Sequence, residues 1–547
     1  MAVDRVDYKE LQNYKWKLNS KLYKEKNERL KGRLERGEIV RESYVREMRK
    51  TYRDLIKDAQ YETPILSGND RSRWGTIRVL VEPDMRVTRK VKDKNGNESE
   101  QIVWYAIDKV QGEKGFDTID MVKHTLPDDP DTGYLYSSKP PLLPTLMAIP
   151  YAVIYHGSRL IYQQTPKNEP ISTDTNTPQE TEIPNFLGSY IEDFFEHDVF
   201  KPISLSDNED RFFVVRVMLV LINLIPIVFC WVLLSRLIDR FGTNDWARVF
   251  CVAFVCFGTF LSTFIVTLNN HIPAMICVTV SGYAAVRIFF DGQMRLRYFA
   301  AAGFFGMLAF ACDLPAIAFG FTIGSLLLLK FPRQTLAGFV PMALLVFAGF
   351  FATNYIAHHD IRPAYGNKDW YFFEYQRNPD KNNNMIKSYW YNPQGVDKGE
   401  ESRAVYFLHA TIGHHGLFSL TPVWILSFAG LFLWLFKRGD SKLQFSAAII
   451  LVISVVVISF YLLVLGQNQR SYGGVSSALR WLFWLIPLWS VPLVGIVDKL
   501  ASYALGRGIC LILLIASIFS ASYPTWNPWT HPWIYQLMLY LKIPVLV

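Results

Sequence analysis

From about residue 213 to residue 522 the chain is mostly apolar runs, most of them about as long as a bilayer is thick, separated by polar links. No other feature restricts its fold so far. A hydrocarbon core of ~30 Å takes about twenty residues of helix, and inside it backbone groups find partners only in helices or closed barrels. The runs lie at 213–234, 247–267, 272–290, 298–312, 314–329, 335–357, 417–436, 445–465, 481–497 and 504–522. They are continuous rather than alternating, which predicts an all-α polytopic membrane protein with about ten transmembrane helices.

Charge orients these helices. Half of the 547 residues are hydrophobic, yet residues 1–60 hold 17 Lys and Arg against 11 Asp and Glu, six of the eight net positive charges. Among the later links, Arg236, Arg240 and Arg248, then Arg287, Arg295 and Arg297, Lys330 and Arg333, Lys437, Arg438 and Lys442, and Lys499 and Arg507 mark one side. By the positive-inside rule that side is cytoplasmic. The links at 268–273, around Asp313, at 358–416 and at 466–480 then face outward. Three regions follow: a charged, helix-favouring extension at 1–62, an external loop region at 63–211, and a transmembrane domain at 212–547 with a long external loop at 358–416. No signal peptide is expected, because the first sixty residues lack an apolar segment. The six cysteines all fall in apolar runs without a Cys-x-x-Cys pair, and read as buried packing residues.

Within the external region, Met85–Val91 and Gln101–Ile107 read as strands around Asn95-Gly96, a strong hairpin signal. Residues 163–185, and 366–403 with Asn382-Asn383-Asn384, read as irregular loops. Residues 140–155 are uncharged but contain Pro144 and Pro150 and run into His156 and Arg159. So short a stretch predicts a segment lying in the membrane interface rather than spanning it.

Two motifs carry chemistry. Asn69-Asp70-Arg71-Ser72-Arg73-Trp74 puts a carboxylate at the head of an amphipathic helix, with Trp74, Ile77, Leu80 and Val81 on one face and Arg71, Arg73 and Arg78 off it. Tyr136-Ser137-Ser138-Lys139-Pro140-Pro141-Leu142 puts a lysine beside a Pro-Pro break. Asp70 has the residue type of a helix cap and of a general base. Lys139 suits an interfacial anchor and a phosphate contact alike. An acid and a cation at a membrane face fit chemistry on a lipid-linked phosphate. Asn269-Asn270-His271-Ile272-Pro273 is a polar turn at an outward link, as is Asp313-Leu314-Pro315. Arg480, after Tyr472-Gly473-Gly474, combines a phosphate fork with the neighbourhood of an aromatic belt at Trp481 and Trp484. His409, His414 and His415 have no adjacent carboxylate, so no metal site is expected.

The order of the two motifs resembles the C-type (GT-C) membrane glycosyltransferases, in the branch of the protein O-mannosyltransferases and the lipid A aminoarabinose transferases. There an Asp-bearing helix start precedes a Lys- or His-Pro-Pro-Leu element in one external loop. The comparison extends over most of residues 69–497, and its specific part is the two motifs. It implies a transferase of the bacterial inner or plasma membrane that moves one sugar from a polyprenyl-phosphate donor to an external acceptor, without a cofactor or nucleic-acid partner. It further implies Asp70 as the catalytic base, with Arg73, Lys139, Asn270, His271 and Arg480 holding the substrates. Asn270 and His271 stand where the aminoarabinose transferases carry an Asp-Met-Pro element. The family also has a transmembrane helix just before the acid-bearing loop, where this chain has the charged stretch 9–57. The rival expectation is a non-catalytic lipid or glycan transporter, which the same composition fits.

Overall fold

The computed structural model describes residues 64–92, 97–111, 113, 116–163, 205–376, 385–399, 401–466, 470–525 and 527–541, with 22, 24–41, 43, 44, 46–48 and 51 near the start. The Asn95-Gly96 turn, residues 164–185 of the first loop, Asn382-Asn383-Asn384 and most of the extension at 1–62 lie outside the described residues. The chain forms two compact units, Met1–Pro64 with Val153–Arg216, and Ile65–Ala152 with Val217–Val547. In the first, residues 24–35 are helical and Tyr44 donates to Asn27 Oδ1 at 2.6 Å.

The second unit opens on helix α1, Gly68–Val81. The Ser67 side chain caps it by accepting from the Asp70 N–H, so Asp70 is not the cap. Nor is the helix amphipathic in the expected sense. Arg73 and Arg78 are buried along with Trp74 and Ile77, and Leu80 is only partly buried. Arg78 can be buried because Glu82 meets it with two bonds of 2.8 Å, Glu113 pairs with it, and its guanidinium lies 4.1 Å from the Phe116 ring centre. A buried charge survives when its donors are matched in this way.

Strands β1 (Val87–Lys92) and β2 (Glu98–Val103) pair antiparallel, Val87 opposite Val103 and Lys92 opposite Glu98. The hairpin is therefore present, but its second strand begins three residues earlier than Gln101. A second hairpin had no counterpart among the sequence expectations: β3 (Met121–Leu126) pairs with β4 (Asp129–Ser137), Met121 opposite Ser137. Val122, Leu126, Tyr134 and Tyr136 form a core with Val103, Tyr105, Ala106, Ala357 and Ala364. Helix α2, Leu142–Gln163, follows the Pro-Pro break and is longer than the apolar stretch suggested. It is absent from the helices that are long and apolar enough to cross a membrane. Tyr151 ties it to α1 by donating to Glu82 at 2.6 Å.

The remainder is helical, several helices carrying a turn of wider or tighter pitch. Seven are long and apolar enough to cross a membrane: α3 (Arg211–Phe241), α4 (Asp245–Val266), α5 (His271–Phe289), α8 (Pro332–His358), α11 (Ser441–Val464), α12 (Arg480–Leu500) and α13 (Ala504–Ser522). Three apolar helices are shorter, α6 (Leu296–Cys312), α7 (Leu314–Lys330) and α10 (Val423–Leu435). Together they coincide with the ten apolar runs. Large apolar side chains such as Leu329, Val452, Leu505 and Ile512 are exposed along them, which suits lipid and not water. This is the surface of an integral membrane protein.

Helix α9, Arg403–Thr411, lies in the loop between α8 and α10, together with the short pair β5 (Glu374–Tyr375) and β6 (Ile386–Lys387). Helices approach closely at glycine: a Cβ on Gly430 of α10 would collide with the Pro492 carbonyl of α12. On the basic side, Asp291 is gripped by both Arg240 and Arg287, and Asp498 accepts from the Thr243 and Asn244 N–H groups at 2.9 and 3.0 Å. All six cysteines are free thiols, five of them buried as expected and Cys256 only partly so.

Candidate active site

The start of α1, the turn before α5 and the turn before α12 meet. Each is held by a local device. Asn269 Oδ1 accepts from the backbone N–H groups of His271 and Ile272 at 3.0 and 2.9 Å and so caps α5. Asn223, buried in α3, donates to the carbonyls of Ile265 and Thr267 and fixes the strand-like approach to that cap. Before α12, Tyr472, Gly473 and Gly474 all have positive φ (52, 88 and 79°), which turns the Gly473 carbonyl toward Arg480.

Between these elements lies a cavity of about 960 Å³, at the upper end of the range for small-molecule sites. Arg73, Lys139, Asn270, His271 and Arg480 all line it, so five of the six residues expected to form the site share one cavity. Arg73 donates to Asn270 Oδ1 at 2.7 Å and to the Asn69 carbonyl at 2.9 Å, and Asn270 donates to the Cys312 carbonyl at 3.0 Å. Arg480 donates to the Gly473 carbonyl through Nε and Nη2, and through Nη1 to His271 Nε2 at 2.9 Å. Arginine has no acceptor, so Nε2 must accept, and the ring proton sits on Nδ1, 2.6 Å from Asp313 Oδ2. Asp313, read from sequence as part of a polar turn, thus fixes the tautomer of His271. Lys139 Nζ is 3.1 Å from Asp120, and burial draws its pKa down while Asp120 opposes the shift.

Asp70 is placed differently. Its carboxylate is fully buried and is not part of the cavity lining. Leu66 N–H and the Thr267 hydroxyl donate to Oδ2 at 3.2 and 2.8 Å, and Leu268 N–H donates to Oδ1 at 3.1 Å. Burial pushes its pKa up to about 6 against these bonds. Trp529, whose indole donates to the same Thr267 hydroxyl, stands between this network and the cavity, 4.8 Å from the Arg480 guanidinium. The position expected for the base therefore joins α1 to the turn before α5. In this arrangement it presents no oxygen to a bound molecule.

Several cavity residues escaped the sequence. Asp120 precedes β3 directly, and the β3–β4 register brings it beside Ser138 and Lys139; recognising the second hairpin would have found it. Tyr365, Tyr389, Trp390 and Asp397 come from the long loop after α8. Asp397 accepts from the Tyr389 hydroxyl at 2.8 Å, and burial raises its pKa. Another part of the lining, including Ile317, Ala318, Val456, Val457 and Phe460, is apolar.

Two further features set the chemistry. Among the described residues, neither Arg73 nor Arg480 has a carboxylate within ion-pair distance; their hydrogen-bond partners are amides, carbonyls and an imidazole. Two buried cations with neutral partners form a site for an anion. Nor do the described residues hold a group of three or more His, Cys, Asp or Glu able to bind a metal ion; the imidazoles of His409, His414 and His415 pack on each other and on Tyr472. Compared with protein families, curated proteins and solved structures, the chain shows no significant match in any of the three.

Proposed function

We propose that the protein is a membrane glycosyltransferase that moves a sugar from a polyprenyl-phosphate donor to an acceptor on the external face. The observation that carries this reading is the pair of buried guanidinium groups, Arg73 and Arg480, with no carboxylate of the described residues within ion-pair distance, in a cavity whose lining is in part apolar. Such a cavity suits an amphiphile with an anionic head. The resemblance of the two opening motifs to the C-type glycosyltransferases supplies the reaction class. With it go a C-type arrangement of ten membrane-crossing helices, the seven long ones and the three shorter, and a bacterial inner membrane as location.

In the proposed reaction the acceptor oxygen attacks the anomeric carbon as the sugar–phosphate C–O bond breaks. The electron pair leaves with the polyprenyl phosphate, whose growing charge meets Arg73, Arg480 and Lys139. The acceptor proton goes to a carboxylate on the cavity surface, Asp120 or Asp397, because Asp70 lies behind the wall. Asp70 then positions the turn that carries Asn270 and His271.

The test uses the purified protein in lipid with a radiolabelled polyprenyl-phosphate sugar, measuring donor binding and sugar transfer to membrane extract separately. Arg73→Ala and Arg480→Ala should weaken donor binding. Of Asp120→Asn and Asp397→Asn, the one that removes the base should lower turnover by about 10²–10⁴ with binding retained. Donor binding without transfer by the unmodified protein would turn the assignment to a lipid or glycan transporter, and no donor binding at all would refute the lipid-phosphate reading.

A further inference from the structure

A second cavity, about 440 Å³, lies between α5, α7 and α11 at the opposite end of these helices. His271 opens α5 in the first cavity and Phe289 closes it in the second, eighteen residues or about 27 Å along the helix. The wall of this cavity is apolar, with Phe319, Ile323, Phe445 and Ile453 among its residues. Its mouth carries two cations. Lys330 Nζ lies 5.6 and 5.5 Å from the ring centres of Phe289 and Phe331, and Lys442 Nζ lies 5.8 Å from that of Phe290. Among the described residues no carboxylate is within ion-pair distance of either lysine, whereas the neighbouring Lys437 is 3.9 Å from Asp440. Gly282 forms part of the floor, and a Cβ there would meet nothing within 4 Å.

An apolar cleft among membrane helices, with two unpaired ammonium groups at the end that the basic links mark as cytoplasmic, has the form of an anionic lipid: hydrocarbon below, phosphate above. Water would not fill such a wall, and a zwitterionic headgroup would bring its own cation to the lysines. We infer that this cleft binds an anionic glycerophospholipid of the cytoplasmic leaflet, its phosphate held between Lys330 and Lys442 and an acyl chain lying over Gly282. The site is independent of the donor cavity and of the reaction proposed there.

The experiment titrates the purified full-length protein in detergent with phosphatidylglycerol and, in parallel, with phosphatidylcholine of the same acyl chains, reading bound lipid by native mass spectrometry. The unmodified protein should prefer phosphatidylglycerol. Lys330→Ala and Lys442→Ala should each cost about five-fold in that affinity, and roughly thirty-fold together. Lys437→Ala, which removes an already paired cation of the same link, should leave it unchanged. Gly282→Leu keeps both lysines and fills the floor, so it should reduce uptake of both lipids. Equal affinity for the two lipids in the unmodified protein would overturn the inference, as would unchanged phosphatidylglycerol binding in the double lysine variant or in Gly282→Leu.

Discussion

Asp70 illustrates what burial does to a single residue. Its carboxyl rises from 3.8 to about 6 on folding, so the folded chain holds the proton more tightly than the unfolded one. Its contribution to stability is then largest below about pH 4, falls as pH rises to about 6 and is level above that, a change of roughly 3 kcal/mol. Asp108, bonded to Leu135 N–H at 3.0 Å, is raised to about 6 by burial as well. Asp70→Asn should therefore remove the share of Asp70 itself, roughly 3 kcal/mol, from the change of unfolding free energy between about pH 4 and pH 6 and above, as read by denaturant titration in lipid. An unaltered slope would mean that Asp70 is not buried as described. Arg480 gives a second prediction at this scale. Lysine cannot grip the Gly473 carbonyl twice while reaching His271, so Arg480→Lys should weaken donor binding by about ten- to hundred-fold although the charge is kept. Equal affinity would show that charge alone matters there.

Among the elements, the apolar helices were legible because hydropathy is a local property summed over some twenty residues. The first hairpin was legible from its strand composition, although β1 starts two residues later than expected and β2 starts three and ends four residues earlier. The second hairpin was not. Its turn lies in Leu126-Pro127-Asp128-Asp129, and its strands alternate weakly because the ladder is buried at the Tyr136 end and exposed at the Asp131 end. Helix α1 misled for another reason. Its pattern places arginines off the apolar face, but Glu82, the residue that follows the helix, receives Arg78 together with Glu113, and Asn270, far along the chain, receives Arg73. Helix packing gives the prediction here. Gly430→Leu should force α10 from α12 and cost about 1–3 kcal/mol or more, read as a lowered Tm, whereas Gly282→Leu on α5 projects into open space and should leave Tm unchanged or raised. Equal effects of the two would contradict the close α10–α12 contact.

For the whole molecule, the cavity at Arg480 draws on residues near 70, 120, 139, 270, 313, 365–397 and 473–480, and the links among them are those that the charge pattern puts on one side. Single cysteines at Ser99 and Tyr391 should therefore react with an impermeant maleimide in intact cells, and one at Gly439 only after permeabilisation. Opposite behaviour of Ser99 and Tyr391 would divide the cavity between two sides of the membrane and end the external-site proposal.

The sequence by itself determined that this chain enters a membrane, where its helices run, and which polar links share a side, since transfer free energy and charge asymmetry are written within one segment at a time. It also marked five residues that meet in one cavity. Only the tertiary structure decided their partners. Arg73 finds Asn270 at a separation of 197 residues and Arg480 finds His271 at 209, and no local pattern encodes contacts of that range. The same holds for Asp70: a carboxylate at a helix start reads alike whether it faces a substrate or a protein loop, and here the backbone of Leu268, folded against it, made it part of the wall.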